Sequence, residues 1–132
     1  MKEFKLEIVT PDGACFSGMA ESVLVRTDDG DVQFLAGHVD YMASLATGRA
    51  KITVGGKERV ASCSGGFITC SRGEVKLVAV TFEFSDEIDL ERAKRAKERA
   101  EEMVKNAKDD RAMALAKAKL KRAISRISAV KG

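Results

Sequence analysis

The feature that most constrains the fold is an abrupt change of composition close to Ser85. Ten of the 11 glycines, the single proline, all six phenylalanines and the single tyrosine lie before residue 86. The charge changes at the same place: positions 1–85 carry 9 basic and 11 acidic residues, whereas the rest of the chain carries 14 basic and 9 acidic residues. Aromatic and turn-forming residues are typical of short strands and their turns. We therefore expect two parts, residues 1–84 and residues 85–132.

The first part has the pattern of short strands separated by turns. Apolar Phe4, Leu6 and Ile8 alternate with mostly polar residues, and Pro11-Asp12-Gly13 then turns the chain. Gly55-Gly56 suits a two-residue hairpin loop, because glycine accepts positive φ. Gly65-Gly66 is interpreted as another connection between strands. Turn signals recur at intervals of about ten residues, which predicts an antiparallel β-sandwich or flattened barrel.

The last strand of this part is expected to run without interruption from Val75 to Phe84. One side of it then carries Val75, Leu77, Ala79, Thr81 and Glu83, and the other side carries Lys76, Val78, Val80, Phe82 and Phe84.

The second part is predicted to be an antiparallel α-helical hairpin. Ser85 or Asp86 is the expected cap of a first helix that runs to about Asn106, and a second helix is expected from about Arg111 to Ala129. The apolar seam of the first helix is narrow and consists of Ala93, Ala96, Ala100, Met103 and Ala107. The second helix offers Ala112, Leu115, Ala116, Leu120, Ala123, Ile124 and Ile127. Because alanine buries little area, at about 25 cal/mol per Å², we expect the helices to be loosely docked.

Several classes of function are disfavoured by the sequence. Cys15, Cys63 and Cys70 are an odd number without CxxC spacing, and His38 is the single histidine, so a metal site is not expected. The cysteines are interpreted as small buried hydrophobic residues in a reducing compartment. Neither a run of 18 apolar residues nor a signal-peptide core is present, so a cytosolic protein is expected. No catalytic motif occurs, so neither an enzyme nor a required cofactor is predicted.

The second helix is strongly basic. From Arg111 to Gly132 the chain has seven basic residues and no acidic one. A solvated helix face and an acidic partner explain this equally well. Nucleic acid is the weaker choice of partner, because no aromatic residue interleaves the charges for base stacking.

Four arginines are expected to converge when the hairpin closes. If its turn centres near Lys108, then Arg122 and Arg126 flank the level of Arg92, and Arg99 lies two turns from Arg92. Such a cluster suggests an anion site, since the guanidinium fork suits phosphate. Arginines that splay from the surface are the equally weighted alternative.

Motifs in a fixed order carry a resemblance to a known family over nearly the whole chain. They are the segments 6–13 (LEIVTPDG), 29–31 (DGD), 35–38 (LAGH), 55–57 (GGK), 64–67 (SGGF) and 88–93 (IDLERA). Together they resemble the epsilon subunit family of F-type ATP synthases. The chain departs from the family pattern at Ala36, where proline is usual, and over Val32–Phe34 and Val39–Met42.

The resemblance implies a non-catalytic rotor subunit that couples ion flow to ATP synthesis, at the cytoplasmic face of the bacterial membrane but not inserted in it. The sandwich is expected to bind the gamma subunit and the ring of c subunits, through Asp29, Gly30, Asp31, Gly37 and His38. The hairpin is expected to extend into the alpha/beta catalytic head and inhibit hydrolysis, with contacts from Arg111, Lys117, Lys119, Lys121, Arg122 and Arg126.

The resemblance also implies that ATP, alone or with Mg, is a regulatory ligand that holds the hairpin folded. The matching positions are Glu83, Ile88, Asp89, Arg92, Ala93, Arg99, Arg122 and Arg126. Two other hypotheses remain: a free-standing ATP-binding sensor, and a basic nucleic-acid adaptor.

Overall fold

A computed structural model describes residues 2–131, which form ten β-strands followed by two α-helices. The strands are β1 (Phe4–Thr10), β2 (Gly13–Ala20), β3 (Ser22–Thr27), β4 (Gly30–Leu35), β5 (Tyr41–Ser44), β6 (Gly48–Val54), β7 (Lys57–Ser64), β8 (Phe67–Ser71), β9 (Glu74–Val78) and β10 (Thr81–Phe84). The helices are α1 (Leu90–Asn106) and α2 (Asp110–Lys131), and a 3-10 turn (Ser85–Glu87) precedes them. This order confirms the predicted β-sandwich with a C-terminal helical hairpin.

The strands form two five-stranded sheets that enclose one core. Sheet A has the order β2-β1-β9-β8-β5, and sheet B has the order β10-β7-β6-β3-β4. All neighbouring strands are antiparallel except β1 and β9. The alternating pattern of β1 puts Phe4, Leu6 and Ile8 into the core, as predicted. The tight β6–β7 hairpin is also confirmed, with both glycines of its loop at positive φ.

The prediction of a single strand from Val75 to Phe84 is wrong. The backbone leaves β9 at Val78, crosses at Ala79-Val80 and enters the other sheet as β10. The burial pattern changes phase at this crossing: Leu77 and Ala79 face the core, and so does Phe82, three residues further on. An uninterrupted strand keeps a period of two. The change of the apolar residues from odd positions (Val75, Leu77, Ala79) to even positions (Phe82, Phe84) was therefore the sequence signal for the crossing.

Two strands were not predicted, because their sequences lack a clear alternation of apolar and polar residues. They are β2 and β5. Most of β2 is solvent-exposed, including Cys15, so the expectation of three buried cysteines is wrong for that residue and confirmed for Cys63 and Cys70. An edge strand that buries little can form by backbone pairing alone, which leaves a weak sequence pattern.

The helical hairpin has the expected turn but a later start. Neither Ser85 nor Asp86 caps α1, since both lie in the 3-10 turn. The cap is Asp89, whose carboxylate accepts a hydrogen bond of 3.1 Å from the backbone N–H of Arg92. In the inter-helix turn, Asp109 accepts one of 2.7 Å from the N–H of Ala112. Both are short acidic side chains at a helix N-terminus, where they are favoured.

The second helix packs against both α1 and the outer face of sheet B, chiefly along β7 and β6. Two residues of its predicted apolar face are instead exposed, Leu115 at 53% and Ile124 at 47%. Ser125 and Ala129 are buried in their place. They share a stripe with Ala118 at spacings of seven and four residues, which puts small side chains on one face of the helix. The prediction missed this stripe because the helix has two contact faces.

Candidate functional site

A cavity of about 380 Å³ lies where the sandwich joins the hairpin, and we call it the hinge cavity. It is lined by the end of β10, the 3-10 turn, the first turns of α1 and one residue of α2. Seven of the eight predicted ATP-site positions meet there: Glu83, Ile88, Asp89, Arg92, Ala93, Arg99 and Arg126. Sequence positions up to 43 apart thus converge on one cavity, as the folded hairpin requires.

The charges around the hinge cavity are balanced. Arg126 donates a hydrogen bond of 2.6 Å from Nε to the Glu83 carboxylate, and both side chains are about two-thirds buried. One oxygen of Asp89 is engaged as the cap of α1. Arg92 and Arg99 have no carboxylate within 4 Å among residues 2–131, so their guanidinium groups can contact an anion.

Two further residues line the hinge cavity without having been predicted, Glu87 and Ala96. Glu87 accepts a hydrogen bond of 3.3 Å from the backbone N–H of Phe84, which fixes the 3-10 turn against the end of β10. The sequence signal was the acidic residue three positions after the last strand residue, the spacing of a capping box. Ala96 belongs to the predicted alanine seam.

Arg122 is placed apart from the other seven predicted positions. It lines a larger cleft of about 1040 Å³ between sheet B and α2, which we call the sheet–helix cleft. Arg122 lies one helical turn before Arg126, and the two side chains line different cavities. The spacing of the arginines in the hairpin does not separate them, because it takes no account of the sandwich beneath α2.

The centre of that contact is a buried pair of hydroxyl groups. Ser62 of β7 and Ser125 of α2 share a hydrogen bond of 2.8 Å and are 4% and 6% exposed. Neither was predicted. A serine inside an otherwise apolar helix stripe was the available signal, since buried hydroxyl groups need partners.

The basic residues of α2 differ in their accessibility. Arg111, Lys117, Lys119 and Lys121 are exposed, Arg122 is half-buried, and Arg126 is held by Glu83. Four of the six predicted inhibitory contacts are therefore free for a partner while the hairpin is docked.

The five residues expected to contact the shaft or the c ring do not form one patch. Asp29, Gly30 and Asp31 lie at the β3–β4 turn, whereas Gly37 and His38 follow the far end of β4. A six-residue strand separates the two groups by about 17 Å.

The end of the sandwich that carries His38 has the more apolar surface. The His38 ring lies 4.7 Å from the ring of Phe34, centroid to centroid. Leu35, Val39 and Met42 are exposed there, Val39 and Met42 by more than 70%. Exposed apolar residues close together in the chain indicate a contact surface.

Within residues 2–131, no group of three or more histidine, cysteine or acidic side chains is arranged to hold a metal ion. Over the same range, no helix is both long enough and apolar enough to cross a membrane.

Family models and relatives agree on one assignment. The model of the ATP synthase delta/epsilon chain β-sandwich domain matches residues 3–85, and the model of the delta/epsilon chain long α-helix domain matches residues 86–131. The ATP synthase epsilon chain of Bacillus pumilus is 39% identical over 97% of both chains. That of Ruminococcus albus is 40% identical over 97% of this chain and 96% of its own.

Solved structures share the fold. A chain in the cryo-EM structure of the Euglena gracilis mitochondrial ATP synthase OSCP/F1/c-ring assembly has a TM-score of 0.84 at 24% identity, over 98% of this chain and 82% of its own. A chain in the central stalk/c-ring structure of the Tetrahymena thermophila enzyme has a TM-score of 0.63 at 13% identity, over 98% and 97%. Two matched domains in the right order, and close relatives over nearly the full length, show that the chain belongs to the ATP synthase epsilon chain family.

Proposed function

We propose that this protein is a non-catalytic central-stalk subunit of a bacterial F-type ATP synthase, which couples ion flow to ATP synthesis and restrains ATP hydrolysis. The full-length similarity to epsilon chains supports the assignment to the complex. The proposed partners are the gamma subunit, the c ring and the alpha/beta head, at the cytoplasmic face of the membrane.

The inhibition of hydrolysis is proposed to come from α2. The observation that supports this is the weak docking of the helix on the sandwich. Its docking on sheet B includes two polar contacts, the Ser62–Ser125 hydrogen bond and the Glu83–Arg126 ion pair, and much of the remaining contact is made by small side chains. Small side chains bury little apolar area. A docking held in this way can be exchanged for a different one at a cost of a few kcal/mol.

The undocked helix is suited to an acidic surface. Residues 111–132 carry seven positive charges and no negative one. Undocking also frees Arg126 from Glu83, which adds a cation to the face that a partner meets. Charge complementarity of this kind speeds and orients association.

ATP is proposed to hold the hairpin docked by binding in the hinge cavity. Arg92, Arg99 and Arg126 come from both helices, so phosphate groups between them would tie α2 to α1. The free oxygen of Asp89 can accept a hydrogen bond from an adenine amine, beside Ile88 and Ala93. Whatever binds only the docked form stabilises it by mass action.

The contact with the c ring is proposed to involve the end of the sandwich that carries His38. Its exposed apolar residues offer surface that a partner would bury. This assignment favours Gly37 and His38 over Asp29, Gly30 and Asp31.

The decisive experiment adds the protein back to a synthase head that lacks this subunit. ATP hydrolysis is measured with the whole chain and with a version that ends at Phe84, and binding of both to the gamma subunit is checked by sedimentation. We expect both to bind and only the whole chain to inhibit. Binding by neither would refute the assignment, and equal inhibition by both would refute the helical brake.

The charges of α2 can be tested within the same assay. Changing Lys117, Lys119 and Lys121 to Gln should relieve most of the inhibition, while changing Lys94, Lys97 and Lys105 of α1 removes the same charge and serves as the control. Full inhibition by the α2 variant would rule out docking by charge.

ATP binding is tested by calorimetry on the isolated protein. Arg92→Gln and Arg126→Gln should each weaken it by about tenfold, as expected for a lost charge-assisted hydrogen bond. Unchanged affinity in both variants would rule out the proposed stabilisation of the docked hairpin by ATP, and it would leave the assignment as a rotor subunit intact. A free-standing ATP sensor, the second candidate, would bind ATP and fail to bind the gamma subunit.

A further inference from the structure

The sheet–helix cleft has an excess of positive charge that the hinge cavity lacks. The hinge cavity is lined by three cationic and three acidic side chains. The cleft is lined by five cationic side chains and two carboxylates, namely Arg26, Arg49, Lys51, Lys121 and Arg122 against Asp28 and Asp31. The lining of the larger cavity therefore carries the larger net positive charge.

Two of the five cations already have partners. Arg26 donates a hydrogen bond of 2.8 Å to Asp31, which raises the pKa of the guanidinium. Lys51 lies 3.9 Å from the carboxylate of Glu58 on the neighbouring strand.

The other three cations, Arg49, Lys121 and Arg122, have no carboxylate within 4 Å in the part of the chain that the structure describes. Arg49 and Arg122 are also half-buried. Neighbouring like charges that are partly removed from water repel one another unless an anion joins them.

The fold places these three residues in the lining of one cleft, on opposite walls. Arg49 and Lys51 are alternate residues of β6, so both point to the outer face of sheet B. Lys121 and Arg122 belong to the α2 segment that packs on that face, next to the buried Ser125. Ser64 and Ser128 also line the cleft, and Ser64 shares a hydrogen bond of 3.0 Å with Thr47, so Ser128 is the better hydroxyl donor for an oxyanion.

We propose that the sheet–helix cleft binds a small anion with several phosphate groups, at a site separate from the hinge cavity. The guanidinium groups of Arg49 and Arg122 suit two phosphate oxygens each, and Lys121 supplies a further charge. The volume of about 1040 Å³ accommodates an anion of that size. Because one wall is β6 and the other is α2, the bound anion holds the helix on the sandwich. The proposal does not depend on ATP binding in the hinge cavity.

The test is calorimetric titration of the isolated whole chain with inorganic tripolyphosphate, at about 0.15 M ionic strength. Three double variants are compared: Arg49→Gln with Lys121→Gln in the cleft, Arg92→Gln with Arg99→Gln in the hinge cavity, and Lys5→Gln with Arg95→Gln on exposed surfaces elsewhere. All three remove the same net charge. Arg122 is left unchanged because it also belongs to the predicted ATP site.

The cleft variant is expected to lose at least about tenfold in affinity at the cleft site, and the other two variants are expected to keep the affinity of that site within about twofold. Absence of binding to the original chain would overturn the proposal. So would an equal loss in the hinge-cavity or surface variant, which would indicate the other site or an unspecific charge effect.

A second measurement does not depend on the variants. Amide chemical shifts of the original chain should change on addition of tripolyphosphate at β6 and at residues 118–128 of α2. Changes confined to residues 83–99 would overturn the proposal. Titration of the hinge-cavity variant with ATP then identifies the kind of anion that the cleft takes. Competition between ATP and tripolyphosphate points to a nucleotide, and absence of competition points to an inorganic phosphate chain.

Discussion

Ser62 and Ser125 lie 63 positions apart and share a buried hydrogen bond of 2.8 Å that joins β7 to α2. Each is the other's partner in a site from which water is nearly excluded. A buried hydroxyl that loses its partner costs about 1–3 kcal/mol, more than the net gain from one hydrogen bond. The pair therefore affects how firmly the helix is docked.

Ser125→Ala is expected to weaken the docking of α2 by about 1–3 kcal/mol, because Ser62 is left unsatisfied. Energy transfer between dyes on the sandwich and on α2 measures the docked fraction. Ser62→Ala with Ser125→Ala should recover part of the loss, since no hydroxyl is then left alone. A double variant weaker than either single variant would contradict this account.

The ion pair between Glu83 and Arg126 is expected to contribute less than its short distance suggests. Both side chains are about one-third exposed, so solvent screens the charges and a coupling energy of about 0.5–1 kcal/mol is expected. A double-mutant cycle with Glu83→Gln and Arg126→Gln, read by thermal unfolding, measures it. The value should fall as salt is added, and a salt-independent coupling would contradict a screened pair.

Gly66 is expected to be the glycine that least tolerates a side chain. Its φ is +88°, and a Cβ there would overlap the backbone carbonyl oxygen of Val78. Gly66→Ala should therefore destabilise the sandwich by more than about 3 kcal/mol.

Gly73→Ala is the matched control for that change, at a φ of +76° with no atom within 4 Å of its Cβ. It should cost only about 1 kcal/mol of backbone strain. Thermal unfolding followed by circular dichroism measures the stability of both variants. Equal losses of stability would show that backbone strain, and not the contact with Val78, determines the cost at Gly66.

The thiols are expected to differ in reactivity. Burial disfavours the thiolate of Cys63 and raises its pKa to about 12, whereas Cys15 is exposed. Since the thiolate is the reactive form, Cys63 stays protonated and inert until the pH approaches 12 or the sandwich opens. With a disulfide reagent at pH about 8, Cys15 should react in the fast phase and Cys63 only on unfolding. Cys15→Ser should abolish the fast phase.

Patterns that repeat locally predicted the fold well. The alternation in β1, the glycine pair before β7 and the alanine spacing of α1 each follow from one element and its own period. The crossing from β9 to β10 was missed because it depends on which sheet receives the strand. The strands β2 and β5 were missed because they pair at the edges of sheet A and bury few side chains, so pairing with a neighbour rather than their own sequence pattern determines them.

The site shows the same division. Seven predicted positions meet at the hinge cavity because the hairpin alone nearly defines it. Arg122 turns to a different cavity because α2 also packs on sheet B. A helix with two contact faces divides its side chains between two neighbours, and a one-dimensional spacing does not reveal the second neighbour.

The position of β10 has a mechanical consequence. Among residues 2–131 it is an edge strand of sheet B that pairs only with β7, and the hairpin leaves the sandwich directly from its end. Swinging the helices away would therefore leave the hydrogen bonds among β7, β6, β3 and β4 in place. The sandwich would then present the same surface to the proposed shaft subunit whether the helical hairpin is docked or undocked.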